Sequence, residues 1–300
     1  MEIPEEYPAS AAYGDDRMNF RCSTTYAATG EYDLHCHNFY EIYLFLKGDA
    51  DYLVEGRHYR PAPNSLLLLA PNAFHGVRIN TDADYRRFAL HFHPDVLSAE
   101  RRALLLSVFP GAGQPNAQIY FENTQDWQLP AFFQALSDCS RLEPVLAAPL
   151  MSVAMEGLLA RIYTMAAASC PLNGREPVSD PVSALLLYLN SHVREPVTLD
   201  QLSERFFISK HHLNKVFRRA TGTTVFDYLL HKRVILAQQL LADGHSAQEA
   251  ALQAGFGDYS SFYRAYRRIL GHSPLQDRGA LPALSREKGE RMQWVGLKGV

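Results

Sequence analysis

Cysteine is scarce in this chain. Cys22, Cys36, Cys139 and Cys170 are scattered through 300 positions at irregular spacing, which excludes a disulfide framework and a paired Cys-x2-Cys zinc pattern. The expectation is a reducing, cytoplasmic setting. Long uncharged apolar runs are also missing: the most apolar helix candidate, Pro149 to Ala168, is interrupted by Glu156 and Arg161, so no membrane span is expected. The N-terminus, Met1-Glu-Ile-Pro-Glu-Glu, is acidic and has no apolar run, unlike a secretory signal. Strong charge of one sign is absent overall, with a net charge of −3. That figure hides a division. Residues 181 to 278 hold twelve Lys/Arg against eight Asp/Glu, for +4, and the tail from Gly279 holds four against two, for +2. Residues 1 to 180 hold the remaining thirteen against twenty-two, for −9. The C-terminal excess is modest and would not by itself indicate nucleic-acid binding, but it fits a binder of tuned affinity.

What the chain does have is an internal repeat between residues 198 and 271. Counting 49 positions on from Leu213, Phe217, Arg218, Arg219 and Gly222 gives Phe262, Tyr266, Arg267, Arg268 and Gly271. Each copy reads as helix, turn, helix. Thr198 caps Leu199 to Phe206, and Ser209 caps a second helix burying Leu213, Val216, Phe217 and Ala220. In the second copy Ser246 caps Ala247 to Ala254, Gly255-Phe256-Gly257 turns, and Asp258 opens a helix burying Phe262, Tyr266 and Ile269. The outward faces carry Lys210, His211, Asn214, Lys215 and Arg218 in one copy, and Tyr259, Ser260, Ser261, Arg264 and Arg267 in the other. These groups suit phosphate oxygens and base edges in a major groove. Between the copies Val225 to Leu241 predicts one helix, roughly 26 Å long at about 1.5 Å per residue. Successive major-groove faces lie about 34 Å apart, so such a spacer can serve neighbouring grooves.

The stretch from Val182 to Arg278 resembles the DNA-binding domain of the AraC/XylS family of transcription regulators. The matching residues are Leu202, Ser209, Leu213, Phe217 and Gly222, the helix from Arg233 to Leu241, Ala250, Gly255-Phe256-x-Asp258, Ser261, Tyr266 and Gly271-x-Ser-Pro274. The resemblance implies a sequence-specific, double-stranded operator as partner, more often with activation than repression, and contact with RNA polymerase as a further option.

Upstream, residues 1 to 19 are polar and unpatterned and read as an N-terminal arm. From Phe20 to about Phe92 short alternating runs separated by Gly30, Lys47-Gly48-Asp49, Glu55-Gly56-Arg57 and Ala62-Pro63-Asn64 predict a sandwich or barrel. The run from His35 to Gly48 reads as one strand with His35, His37, Glu41, Tyr43 and Phe45 on one face and Cys36, Tyr40, Ile42 and Leu44 on the other. His-x-His-x3-Glu-x6-Gly resembles the first motif of the cupin barrels, and Pro71-Asn-Ala-Phe-His75 the second, with Asn72 standing where a Gly is usual. Three readings of His35, His37, Glu41 and His75 stay open: a divalent-metal site, a metal-free polar pocket for an organic ligand, and packing. The metal-free pocket, with Tyr43 as a further ligand contact, is the preferred one, so no cofactor is assigned. His91 and His93, with no carboxylate nearby in sequence, read as ordinary strand residues.

Three helices are expected after the barrel, over Asp95 to Phe109, Trp127 to Leu142 and Val145 to Ala168. Leu150, Val153, Met155, Leu158 and Ile162 on the last of these offer surface for a homodimer. The proline-rich stretch 170 to 181 reads as a linker, and residues 279 to 300 as a mobile tail. The fold class is therefore two-domain α+β: a cupin-like barrel with helices over 20 to 169, and an all-α domain with two helix-turn-helix motifs over 182 to 278. The function that follows is a DNA-binding regulator, not an enzyme, responding to a small molecule such as a sugar. A cupin-type metalloenzyme with an appended DNA-binding module is the alternative, which would need a bound metal with an open coordination position and a base near substrate. For the effector, aromatic Tyr43, Phe45 and Tyr52 beside polar residues suit an aromatic acid as well as a sugar.

Overall fold

The computed structural model describes residues 10–29, 32, 34–37, 39–109, 118–168, 181–221, 223–278 and 295–296. The strands are β1 (Ala11–Gly14), β2 (Met18–Thr25), β3 (His35–Cys36), β4 (Tyr40–Lys47), β5 (Ala50–Val54), β6 (Arg57–Tyr59), β7 (Ser65–Leu69), β8 (His75–Ile79), β9 (Tyr85–Phe92), β10 (Tyr120–Phe121) and β11 (Val295–Gly296). The helices are α1 (Ala99–Leu106), α2 (Leu129–Cys139), α3 (Pro144–Ala168), α4 (Pro181–Ser191), α5 (Leu199–Phe206), α6 (Lys210–Thr221), α7 (Val225–Ala242), α8 (Ala247–Gln253) and α9 (Tyr259–Leu270).

Two sheets, ordered β1-β2-β9-β4-β7-β10 and β11-β3-β8-β5-β6, face each other across a core of Tyr43, Phe45, Tyr52, Val54, Leu67, Leu69, Ile79 and Tyr85. Because strand side chains alternate, the same strands feed two further layers. Ile42, Leu44, Leu46, Leu66, Leu68, Phe88 and Leu90 leave the six-stranded sheet on its other side and pack on α1, α2 and α3. Leu34, Cys36, Leu53 and Phe74 leave the five-stranded sheet and pack on α4 to α7. The DNA-binding half thus shares a continuous hydrophobic core with the barrel, each fully buried large side chain being worth about 1.5 to 3 kcal/mol.

The second helices of the repeat keep its register: α6 and α9 both contain twelve residues and begin 49 positions apart. Capping boxes start α5, where Thr198 and Gln201 exchange backbone and side-chain bonds, and α8, where Ser246 and Glu249 do the same. The spacer α7 has 18 residues, about 27 Å of helix. One position in the second turn admits only glycine. Gly255 has φ +86°, and a Cβ there would lie 2.7 Å from the Arg194 carbonyl oxygen. Gly255→Ala is expected to destabilise the C-terminal half by about 2 to 4 kcal/mol, summing left-handed strain with displaced backbone. A urea midpoint unchanged from wild type would contradict it.

Several expectations need correction. Residues 11 to 14 are not arm but strand β1, hydrogen-bonded along β2; residues 1 to 9 lie outside the described residues. His35 to Gly48 is not one strand, because the chain leaves the five-stranded sheet after Cys36 and enters the six-stranded sheet at Tyr40. The helix expected over Asp95 to Phe109 is a 3-10 turn at Pro94–Val96 followed by α1, since Pro94 and Ser98 each start a separate element. Met155, Leu158 and Ile162 are fully buried against the barrel and cannot pair subunits, whereas Val145, Leu146, Leu150 and Val153 are exposed. Residues 170 to 180 of the expected linker, Gly222, and most of the tail lie outside the described residues; Pro181 opens α4, and Val295–Gly296 pair with β3.

By length and composition α3 could cross a membrane. Here one face is buried in the core, and Glu156 accepts the Ser98 amide at 2.7 Å and Arg101 Nε at 2.8 Å, tying α1 to α3.

Candidate functional site

The barrel interior gathers the predicted polar residues by pairing register rather than by one strand face. His35 lies directly opposite His75 in β3 and β8, and Glu41 lies opposite His91 in β4 and β9. The Glu41 carboxylate sits at the centre: its Oε2 is 3.0 Å from His37 Nε2 and 3.1 Å from His75 Nε2, and its Oε1 is 3.2 Å from His91 Nε2. His37, Glu41, His75 and His91 are all buried, and His35 is partly so. His91 reads from the sequence as an ordinary strand residue, with no carboxylate nearby. Its partner is fifty positions away along the chain, visible only once β4 and β9 are paired. Asn72, at the atypical motif position, has φ +64°, a conformation asparagine tolerates better than most residues. Its amide donates to the His37 carbonyl at 2.6 Å, so the turn before His75 is kept.

Tautomers follow from backbone acceptors. A carbonyl only accepts, so His37 Nδ1–H donates to Phe39 O at 3.1 Å and His75 Nδ1–H to Ala73 O at 2.9 Å. Both Nε2 atoms then turn lone pairs toward an anionic carboxylate, which is unfavourable unless an additional proton or a cation lies between them. Burial drives the His37 imidazolium down to about 3. Burial also works against charge on His75 and Glu41, but their mutual contact raises the first, and His91 together with the histidine hydrogen bonds holds the second well below the ordinary carboxylate range. Next along β4, Tyr43 and Tyr52 both contact the Tyr85 hydroxyl, Tyr52 at 2.5 Å, and Arg87 lies 5.8 Å and 5.2 Å from the Tyr43 and Tyr85 ring centroids. Residues offered as ligand contacts from sequence, His35, His37, Glu41, Tyr43 and His75, therefore do line one interior.

The same strands carry a second set of residues pointing the opposite way. Cys36, between His35 and His37, contacts His231 Nε2 of α7 through its Sγ at 3.2 Å. Phe74, beside His75, packs on Tyr228 with ring centroids 4.5 Å apart. Glu55 completes this contact: its carboxylate accepts from the Phe74 amide at 2.6 Å, Asn190 Nδ2 at 2.7 Å and Lys232 Nζ at 2.8 Å. Glu55 and Gly56 both have positive φ, +48° and +86°, as a two-residue hairpin of the I′ type requires. Asn or Gly is the usual choice at the first position, so a glutamate costs about 1 to 2 kcal/mol there. Its three accepted hydrogen bonds, two of them from Asn190 and Lys232 across the interface, offset that strain. This interface was not anticipated; the one available signal was Glu where a tight turn prefers Asn.

Burial also pushes the His231 imidazolium down to about 4, with the Lys232 charge acting in the same direction. A histidine whose folded value is depressed contributes stability that is present above its ordinary value and lost as pH falls toward the folded value. His231 and His37 are therefore expected to erode stability between about pH 6.5 and 4, each by up to about 1.4 kcal/mol per pH unit, with His75 opposing. Urea midpoints across that range should fall, and His231→Gln should remove about one proton from the slope; an unaltered slope would contradict the assignment.

On the C-terminal half, Lys210, His211, Lys215, Arg218, Tyr259, Ser260, Arg264 and Arg267 are exposed along α6 and α9. Two of the predicted contacts are partly committed. Lys210 pairs with Asp200, and half-buried Asn214 accepts the Val225 amide at 3.4 Å, bracing α6 against α7. Ser261 supplies its amide to the Asp258 cap at 2.8 Å, leaving its hydroxyl near Arg264 Nη2 at 3.4 Å.

A family model described as the AraC-like ligand binding domain matches residues 18–158, and one described as a helix-turn-helix domain matches residues 202–280. The HTH-type transcriptional activator RhaS of Salmonella arizonae is 30% identical over 42% of this chain and 47% of its own length. That match spans about half of the relative. The uncharacterized HTH-type transcriptional regulator YfiF of Bacillus subtilis is 24% identical over 83% of this chain and 80% of its own. Among solved structures, the DNA-binding domain of AdpA, a global transcriptional factor in complex with a target DNA, is 30% identical, covering 37% of this chain and 100% of that one with a TM-score of 0.33.

Proposed function

Because the chain belongs to the AraC/XylS family of transcription regulators, we propose that it binds an operator sequence-specifically through α6 and α9 and alters transcription when its barrel takes up a small molecule. The observation that carries this reading is the alternation along β3 and at the start of β8. His35, His37 and His75 face the interior, while Cys36 and Phe74 touch α7. A ligand that moves either strand by a fraction of an ångström must change the packing under the DNA-binding half. The chain acts in this reading as a cytoplasmic regulator and not as an enzyme. Activation, through contact with RNA polymerase, is favoured by the similarity to RhaS. A sugar or related polyol is the preferred effector class, since buried tyrosine hydroxyls and a His/Glu cluster offer hydrogen-bond partners beside aromatic faces. Homodimerisation is assigned to the exposed apolar strip Val145, Leu146, Leu150 and Val153 on α3.

A thermal-shift screen of the full chain against sugars, sugar acids and aromatic acids tests the sensing role, because a ligand of the native state raises stability by RT ln(1 + [L]/Kd). A hit should change operator affinity, and operator should change affinity for the hit by the same factor. A hit that binds the barrel with identical affinity whether or not operator is present would overturn the coupling.

A further inference from the structure

One positive charge inside the barrel lacks a counter-charge. Alternate residues of β9 face the interior, so Tyr85, Arg87, Ala89 and His91 share that side. Register agrees, since Arg87 lies opposite Phe45 of β4, which belongs to the same interior core as Tyr43, Tyr52 and Tyr85. Elsewhere in the barrel arginines meet carboxylates, Arg60 on Asp49 at 3.0 Å and Arg78 on Asp51 at 2.7 Å. Among the described residues no carboxylate pairs with the Arg87 guanidinium, and its Nη1 is buried without a hydrogen-bond partner. Glu41, also in the interior, is engaged by three imidazoles. The hydroxyls beside Arg87 are neutral, because burial holds the Tyr43 and Tyr52 phenols well above their ordinary range. A guanidinium stays protonated throughout the range in which proteins fold, and a charge left without a partner in an apolar setting is strongly unfavourable.

The surroundings decide which partner fits. Arg87 lies over the rings of Tyr43 and Tyr85, 5.8 and 5.2 Å from their centroids. Tyr43 and Tyr52 both contact the Tyr85 hydroxyl. Those two links use two of the three hydroxyl protons, which leaves the third for another acceptor. The site therefore offers a planar fork of N–H donors and one O–H donor, and it calls for acceptor oxygens that carry one negative charge. A carboxylate meets the fork with two parallel bonds, whereas a doubly charged phosphate would leave net negative charge in an interior that already holds Glu41. We infer that Arg87, with Tyr43, Tyr52 and Tyr85, binds the carboxylate of a small monoanionic effector. This rests on the sensor reading above and narrows it, from sugars and polyols in general to an acid. Two bodies suit the remaining interior. A sugar acid would direct hydroxyls toward His91, four residues along the same face of β9 or roughly 13 Å of strand. An aromatic acid would lie against the tyrosine rings. The carboxylate is common to both.

Calorimetric titration of the full-length chain with matched acid and neutral probes tests this: glucuronate against glucose, galacturonate against galactose, and benzoate and 4-hydroxybenzoate against their amides. At least one acid should bind one-to-one, about tenfold or more tighter than its neutral counterpart. Arg87→Met should abolish that preference. Arg87→Lys, which keeps the charge but loses the fork, should weaken the acid by about tenfold. Arg60→Met, at an exposed ion pair, should keep the wild-type preference. Circular dichroism of each variant verifies folding, and the Lys variant decides if the Met variant unfolds. Folded wild type that prefers no acid over its neutral partner overturns the inference, as does a preference that survives in the folded Arg87 variants. Whichever acid binds, sugar or aromatic, identifies the body that the interior accepts. Operator affinity is measured in parallel with and without that acid. An Arg87-dependent acid that leaves operator affinity unchanged would keep the site and strike the sensor reading, whereas no acid binding beside intact operator binding would strike this inference alone.

Discussion

Glu55→Asn is expected to uncouple the barrel from the DNA-binding half while leaving each folded. Asparagine suits the left-handed position better than glutamate, so the β5-β6 hairpin should be at least as stable. Its shorter side chain cannot reach Asn190 and Lys232, which then lose the carboxylate that accepts from them at 2.7 and 2.8 Å. Charge-assisted bonds at a half-buried site are worth about 2 to 3 kcal/mol in total here, roughly 30- to 150-fold in the docked-to-undocked ratio. The measurable results are faster amide exchange in β3, α4 and the first turns of α7, and a single melting transition that separates into two. Affinity of the ligand-free protein for DNA should change little, because Glu55 contacts α4 and α7 and not the outward residues of α6 and α9. Unaltered exchange across β3 and α4 would mean that the interface is held by its apolar part alone.

Arg264→Ala is expected to weaken operator binding by about 1 to 3 kcal/mol, roughly 5- to 150-fold, and to relax preference at one base pair. The side chain is exposed on α9, in a helix whose Phe262, Ala265 and Tyr266 are buried, so its loss costs the fold little. Arg218→Ala on α6 should behave differently. An exposed cation without base contact neutralises phosphate, so its removal should weaken binding to all sequences alike and lower the salt slope by about one. If Arg264→Ala instead ranked operator variants as wild type does, the outward face of α9 would not be reading bases.

How much of this was legible in the sequence depends on the distance over which each feature is encoded. The two helix-turn-helix units were legible because their determinants are local: caps at Thr198, Ser246 and Asp258, apolar residues at helical spacing, and a 49-residue offset that α6 and α9 keep. The polar interior was half legible. His35, His37 and Glu41 stand close together in sequence, but no single strand face carries them, since the chain changes sheets between Cys36 and Tyr40. His91 enters through a β4-β9 pairing fifty residues long in sequence, and no local pattern marks it. The apolar excess on α3 was read as dimer surface, although Met155, Leu158 and Ile162 are claimed by the barrel. A stripe of apolar residues specifies that a helix face is covered, not by what. The interface at Glu55, Asn190, Lys232 and His231 joins positions more than a hundred residues apart, and its residues are individually unremarkable polar side chains.

The central claim is that α6 and α9 read one DNA site together, held apart by α7. Selecting bound duplexes from a randomised library with the full-length chain tests it most directly. The account predicts enrichment of a site with two short elements whose centres lie about 10 base pairs apart, one helical turn of roughly 34 Å, and loss of only one element's preference in Arg264→Ala. A library that emerges unenriched from the folded protein, or enriched for a single element that Arg264→Ala reads unchanged, would contradict it.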